Sequence, residues 1–362
     1  MPRTGGEAAV AADNAAEARL AGLRHVTDED PGIRRRRAGK GFSYLGTDGL
    51  RITNQKVLER IRALAIPPAY TDVWICSNPR GHIQATGRDA RGRKQYRYHP
   101  RWRAVRDLGK FARLLDFGDR LPRLRRTLAR DLKRPGLPRE KVLATVVSLL
   151  SETLVRVGNA KYREQNGSFG LTTLLARHVA FLRGRALFRF RGKSGLRHAV
   201  AVDNARLVRL LRRCQQLPGQ YLFQFLDDEN DPQPIHSGMV NDYLFSAMGG
   251  EFTAKDFRTW GATVHAIAVF VETPVPEPGE ERAVASLINS VIGKVAKVLR
   301  NTPAVCRNSY IHPRVIEGWK DGSLQQTVSV EDVRFPRKLE QATLRFLRAA
   351  RRFRPERLAA QG

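Results

Sequence analysis

The sequence predicts an α+β protein of two domains, a small strand-rich domain first and a larger, mainly helical domain after it. Three observations predict this. The 362 residues are enough for two buried cores. Between residues 42 and 98, short alternating runs are broken by Asn, Asp, Gly and Pro turns. From residue 101 onward the apolar spacing has mostly the helical period.

Residues 1–32 are rich in Ala, Glu, Asp and Gly and are read as a mobile tail, with one or two helical turns around Ala15 to Leu23. Arg34 to Arg37, followed by Gly39-Lys40-Gly41, is either a solvated linker or an arm that touches phosphates. The small domain spans 33–100. Phe42 to Leu45, Asp48-Gly49 and Leu50 to Ile52 form a short hairpin, and Asn54 to Leu64 a helix. Val73 to Cys76 and His82 to Thr86 are strands around the turn Asn78-Pro79-Arg80-Gly81.

The second domain spans 101–362. Its first stretch, 101–135, is helical and carries 12 Lys or Arg against 4 Asp or Glu, so it presents positive charge. Lys141 to Val157 is apolar on nearly every face and reads as a buried helix. Leu187 to Val202 is a hairpin with Lys193-Ser194-Gly195 at its tip. Ser237 and Thr253 are N-caps of two helices separated by Gly249-Gly250. Glu272 to Glu281 is a proline-rich loop, and Glu281 to Arg300 an amphipathic helix. Thr302-Pro303 opens a further helix ending near Pro313. After Phe335 comes a basic helix with Arg345, Arg348, Arg351 and Arg352.

The formal charge of +29 makes a polyanion the first partner to consider. Much of the excess is Arg, which holds a phosphate through two parallel hydrogen bonds. Cys76, Cys214 and Cys306 are scattered and odd in number, so neither a disulfide framework nor a zinc site is suggested, and the histidines lack the HExxH ligand spacing. No run of about 18 apolar residues and no secretory signal core is present, which fits a cytoplasmic protein that meets DNA.

Breaking a phosphodiester without metal or water needs an in-line nucleophile, donors for the equatorial oxygens and an acid for the departing oxygen. Five positions in the second domain could supply that set. Arg156 lies at the end of an otherwise apolar helix, where a charge is costly unless it is paired in a structural salt bridge or reaches an anion. Lys193 sits at a hairpin tip that could enter a groove; alternatively it is an ordinary turn lysine. Arg258 lies in the first turns of a capped helix, where the dipole adds positive potential, or it pairs with Asp256. Asn301 joins two helices and could be only a cap. Tyr310 follows nine residues later, and no one of these positions is persuasive by itself.

Their order and context are more specific. The stretches Ile66-Pro67-Pro68-Ala69-Tyr70, Gly92-Arg93-Lys94-Gln95-Tyr96-Arg97-Tyr98, Val155-Arg156-Val157-Gly158, Lys255-Asp256-Phe257-Arg258-Thr259 and Asn301-Thr302-Pro303-Ala304 through Tyr310 resemble the bacterial branch of the type IB DNA topoisomerases, itself similar to the poxvirus enzymes. The resemblance runs from about Arg34 to Pro313. It implies a monomeric, C-shaped clamp on duplex DNA, with no cofactor. Tyr310 would form a 3′-phosphotyrosyl link, Arg156 and Arg258 would grip the scissile phosphate, and Lys193 would be the acid for the 5′-oxygen. Asn301 would stand where many relatives carry His. Since an amide cannot titrate, its role there is to hold a non-bridging oxygen. Two arginines near the phenol would favour the phenolate.

A phosphotyrosyl ester replaces a phosphodiester, so ATP is not required, and no P-loop sequence is present. Arg93, Lys94, Tyr96 and Tyr98 suit a DNA backbone and groove surface, although one of the two tyrosines could instead belong to the core. Tyr162 matches a family position that contacts DNA near the cut, and Lys161 beside it suits a general phosphate contact. A tyrosine recombinase shares the catalytic logic but usually carries His three residues before the second Arg, where this chain has Lys255. Charge alone would also permit a non-catalytic DNA-compacting protein, but compaction does not need the five-residue set.

Overall fold

The computed structural model describes residues 15–352 except 40 and 91; the side chains of 103, 107, 108, 161, 162, 165, 194 and 350–352 lie outside the description, as do the first fourteen residues of the expected tail. The chain divides into two compact units, one running to Phe111 and the other from Ala112.

The first unit is built on a five-stranded antiparallel sheet of β1 (Gly32–Ala38), β2 (Gly41–Leu45), β3 (Thr71–Cys76), β4 (Ile83–Arg88) and β5 (Lys94–Tyr98), in the order β2-β1-β3-β4-β5. Ile33, Val73, Ile75 and Ala85 point from it into a core closed by Ile61 of the amphipathic helix α2 (Gln55–Ala63). Asn54 caps that helix by accepting from the Val57 amide at 3.3 Å.

The arginine run 34–37 is therefore not a solvated linker. It is the inner strand β1, paired on one side with β2 and on the other with β3. Alternation turns Arg35 inward, where its guanidinium donates to the carbonyls of Pro67 (3.2 Å) and Tyr70 (2.5 Å) and lies 4.1 Å from the Phe42 ring centroid. One strand arginine thereby secures the whole Ile66 to Tyr70 segment, while Arg34 and Arg36 on the other face stay exposed.

Residues 15–31, expected as part of a tail, are packed. Residues 15–20 form a helix (α1), and Ala18, Ala21 and Leu23 bury against Trp102. Val26 packs on Trp74 and Cys76. Small apolar residues can dock this closely because a large indole waits opposite them, and Trp102 is distant in sequence. Trp102 belongs to α3 (Pro100–Asp131), which explains why the unit extends past the boundary expected at residue 100.

The second unit is mainly helical. Its centre is α4 (Arg139–Thr153), with Val142, Val146, Val147, Leu149 and Leu150 out of contact with solvent. Helix α5 (Ala160–Asn166) follows it in the chain. Helices α6 (Ala205–Gln215), α7 (Ser237–Met248) and α8 (Ala254–Val271) pack on α4, α9 (Glu281–Leu299) packs on α8, and α10 (Pro303–Ser309) packs on α9. Then follow α11 (Pro313–Lys320), α12 (Ser323–Thr327), α13 (Val330–Val333) and the basic α14 (Pro336–Arg352). A three-stranded sheet of β6 (Val179–Leu182), β7 (Arg185–Arg191) and β8 (Arg197–Val202) carries the predicted hairpin, and β9 (Gln224–Leu226) pairs with β10 (Pro232–Pro234). All three cysteines are free and buried. No described helix is long and apolar enough to cross a membrane.

Three local boundaries differ from expectation. Helix α4 stops at Thr153, because Leu154 takes a left-handed conformation (φ 53°) that ends the helical hydrogen bonding, so Arg156 lies beyond the helix. His236, not Ser237, caps α7, its Nδ1 accepting from the Met239 amide. Helix α10 ends at Ser309, well short of Pro313, and Tyr310 is its C-cap with φ −129°.

Candidate active site

Two helix ends and one helix start converge on a single point. Helices α4 and α9 finish in left-handed residues, Leu154 and Arg300. At α9 the Asn301 amide reaches back to Ala296 O at 3.0 Å, the six-to-one hydrogen bond of a Schellman ending, and this fixes where Asn301 stands. Arg300 holds the strained conformation with help from its side chain, which donates to Ala199 O of β8 at 2.7 Å.

Arg258 enters from the first turns of α8. Thr253 and Asp256 form the capping box of that helix, with Thr253 N–H to Asp256 Oδ2 at 2.8 Å. Asp256 is thus used at the cap and is not the partner of Arg258. The Arg258 guanidinium, 4% exposed, instead donates to Leu154 O and, at 2.9 Å, to Leu299 O. These carbonyls lie at the negative ends of α4 and α9, so two helix dipoles stabilise one buried cation. Its Nε has no partner among the described residues.

Arg156 is held by its backbone. Its carbonyl accepts from Leu171 N–H at 2.9 Å, and Val157 O accepts from the Thr172 amide at 2.7 Å. The next residue, Gly158, has φ +101° and lies back to back with Gly170, so close that a Cβ on Gly158 would come within 3.0 Å of the Gly170 Cα. Only glycine meets both demands. From this base Arg156 Nη2 donates to Asn301 Oδ1 at 2.5 Å. The bond orients the amide: the oxygen is committed to Arg156, and the buried Nδ2 donor has no partner among the described residues.

Tyr310 completes the group. Its carbonyl accepts from the Thr263 hydroxyl at 3.2 Å, and Thr263 Oγ1 in turn accepts from His312 N–H at 3.2 Å, so one fully buried threonine on α8 pins the chain on both sides of Ile311. Arg258 Cζ lies 5.1 Å from the phenol ring centroid. Burial raises the phenol pKa, but Arg258, Arg156 and Asn301 together outweigh it and hold the phenol below its ordinary 10. Burial, and then repulsion from Arg258, lower the pKa of Arg156.

The structure therefore brings together Arg156, Arg258, Asn301 and Tyr310. Lys193 stands apart from this contact network, exposed on the 3-10 turn between β7 and β8. The Arg300 to Ala199 bond ties that hairpin to the residue preceding Asn301. Thr263 and Arg300 were missed by sequence reasoning: a threonine inside a helix and an arginine at a helix end carry no motif. Their roles follow only from which carbonyls they meet.

In the first unit, Tyr96 and Tyr98 share one face of β5 with rings stacked at 5.8 Å. Tyr98 packs on the Trp102 cluster, whereas Tyr96 is 42% exposed. Arg93 pairs with Asp89 at 2.7 Å and Lys94 with Asp28 at 2.6 Å, so both cations already have carboxylate partners. Lys161 and Tyr162 lie on α5, with side chains outside the description.

Residues 99–333 match the family profile described as eukaryotic DNA topoisomerase I, catalytic core. Residues 41–89 match that of the bacterial DNA topoisomerase IB N-terminal domain. The chain is 33% identical over 291 residues to DNA topoisomerase 1B of Acanthamoeba polyphaga mimivirus, covering 79% of this chain and 87% of that one. It is 23% identical over 284 residues to DNA topoisomerase I of Monkeypox virus and to DNA topoisomerase 1B of Vaccinia virus (strain Copenhagen), covering 75% of this chain and 84% of each. With one profile extending over more than half of its length and the mimivirus relative 33% identical over 79% of it, the chain belongs to the type IB DNA topoisomerase family, whose members are isomerases.

Proposed function

We propose that Tyr310 is the nucleophile with which this topoisomerase opens one strand of duplex DNA and relaxes supercoils without ATP. The observation that carries the reading is a half-buried phenol, biased toward ionisation by Arg258, Arg156 and Asn301, beside two buried donors, Arg258 Nε and Asn301 Nδ2, that meet no partner in hydrogen-bond geometry among the described residues. Unpaired buried donors are costly, and a phosphate with two non-bridging oxygens would satisfy both. Arg258 Nε and Asn301 Nδ2 would donate to those oxygens together with Arg156, and so stabilise the charge that builds in the transition state.

The step balances as a transesterification. Tyr310 Oη forms the new bond to phosphorus and loses its proton to solvent. The P–O5′ bond breaks, and the Lys193 ammonium gives a proton to the leaving oxygen. The 3′-phosphotyrosyl ester keeps the bond energy while the free end rotates. Reversal, with the 5′-hydroxyl attacking and Lys193 as base, restores the strand. Tyr96 and Tyr98, with Arg93, Lys94 and Lys161, would contact the duplex backbone and groove, and Tyr162 would contact it near the cut. For Arg93 and Lys94 this means exchanging Asp89 and Asp28 for phosphate. Arg156, Arg258, Asn301 and Tyr310 meet within one chain without a residue from a second copy, which supports action as a monomer, on the nucleoid where the cell is bacterial.

Tyr310→Phe tests this directly, because it removes only the phenolic oxygen. The variant is expected to bind duplex DNA as the parent does and to relax none of it. Relaxation at the parental rate would overturn the assignment, as would a trapped covalent complex mapping to another residue.

A further inference from the structure

His198 lies on β8 directly opposite Phe190 of β7, and the two rings stack with centroids 4.7 Å apart and planes 26° from parallel. The imidazole is 6% exposed, and neither ring nitrogen has a hydrogen-bond partner among the described residues. Gly192, the residue before Lys193, rests against the ring edge that carries Nε2: a side chain at Gly192 would overlap it. The ring thus sits under the point where the hairpin tip leaves the sheet.

Its other neighbours are cations. Burial first, then Arg300, Arg156 and Arg258, push its pKa down to about 4, so it is a neutral imidazole with one donor and one acceptor. Those arginines already donate to Ala199 O, to Asn301 Oδ1, and to Leu154 O and Leu299 O respectively. An apolar side chain would stack on Phe190 equally well without burying two unpaired nitrogens, so the imidazole points to a partner that meets it in another state of the site.

We propose that His198 is a positioning residue for Lys193: its stacked ring supports the tip at Gly192, and Nε2 accepts a hydrogen bond from the Lys193 ammonium while another proton of that ammonium passes to the 5′-oxygen. The inference rests on the reading of Lys193 as the acid. Lys193 stands on the residue after Gly192, its ammonium has three donors, and only one is consumed in the transfer. Holding a second one would aim a flexible four-carbon stem that is otherwise exposed at a turn.

The test compares single-turnover cleavage of ordinary DNA with that of DNA whose 5′-bridging oxygen is replaced by sulfur, a leaving group that needs little acid help. His198→Phe keeps the stack and removes both nitrogens. It is expected to slow cleavage of ordinary DNA by about 10- to 100-fold. It should leave DNA affinity unchanged, lose most of its defect on the sulfur substrate, and add little to the defect of Lys193→Ala. If His198→Phe does not fold, Gly192→Ala displaces the ring from the tip and should show the same substrate-selective defect. Equal defects on both substrates, or no defect, with Lys193→Ala restored by sulfur, would overturn the role of His198 alone. A Lys193→Ala variant not restored by sulfur would overturn the acid assignment beneath it.

Discussion

Removing the Asn301 side chain separates a catalytic donor from a helix cap. In the folded protein Asn301→Ala loses the 2.5 Å bond from Arg156, a charge-assisted contact of about 1.5–3 kcal/mol. It also removes a buried Nδ2 with no partner among the described residues, whose desolvation costs about 1–3 kcal/mol. The two terms oppose, and the backbone bond from Asn301 N–H to Ala296 O that closes α9 survives. Thermal stability should therefore change little. In the proposed transition state the donor would meet a phosphate oxygen, and losing it should cost about 2.7–4 kcal/mol, or about 10²- to 10³-fold in cleavage rate. Asn301→Asp should be at least as damaging, since it keeps the acceptor for Arg156 but has no donor and brings negative charge to the phosphate. Asn301→His should retain substantial activity, because a neutral imidazole can accept from Arg156 and donate through its other nitrogen, and it should acquire a pH dependence near about 6.5. The assay is single-turnover cleavage between about pH 5 and 9, with DNA affinity and melting temperature measured alongside. Parental cleavage rates in Asn301→Ala at every pH, or a slow variant whose melting temperature and affinity collapse together with the rate, would refute the reasoning.

The Tyr310 phenol lies below its ordinary 10, so the parental cleavage rate should rise with pH and level off below 10; Arg258→Gln removes the largest charge opposing burial and should move that limb upward, and an unmoved limb would show that Arg258 does not set the ionisation. His82 and His198 both titrate at about 4, the first through burial and His25, the second through burial and the arginines. Because their folded pKa values are depressed, their share of stability is complete above pH 6.5 and is lost as pH falls from 6.5 to 4, up to about 3 kcal/mol each. Denaturation midpoints followed over that range should fall with pH, less steeply in His198→Phe, and a flat profile would count against both burial arguments. The logarithm of DNA affinity should fall linearly with log salt, with a slope near −0.9 for each phosphate neutralised, whereas a near-zero slope would contradict binding through the +29 charge.

How much was legible in advance follows from where each signal lives. Periodicity and caps are local, so α9, the 187–202 hairpin and the N-terminus of α8 could be read from adjacent residues, as could the charge that demands a polyanion. Family-specific stretches pointed to the five proposed reactive positions in order, of which Arg156, Arg258, Asn301 and Tyr310 meet in the structure. Local signals failed where tertiary partners decide. The arginine run 34–37 reads as linker until β2 and β3 are found on either side of it, and Ala18 reads as tail until Trp102 covers it. Tyr310 belongs to a helical pattern, but the Thr263 hydroxyl takes its carbonyl and the chain leaves the helix there.

The sequence by itself determined the two-part α+β plan, the basic character and the residues able to do the chemistry, because these depend on residue type and short-range spacing. Only the tertiary structure decided that Arg258 caps two helix ends, that the Asn301 oxygen is spent on Arg156 while its nitrogen is not, and that His198 sits under the hairpin tip. The contacts of Arg258 and Asn301 join segments about forty to more than a hundred residues apart, and that of His198, though within one hairpin, depends on the strand register; a hydrogen-bond direction or a burial cost exists only once the chain has brought both partners to the same place.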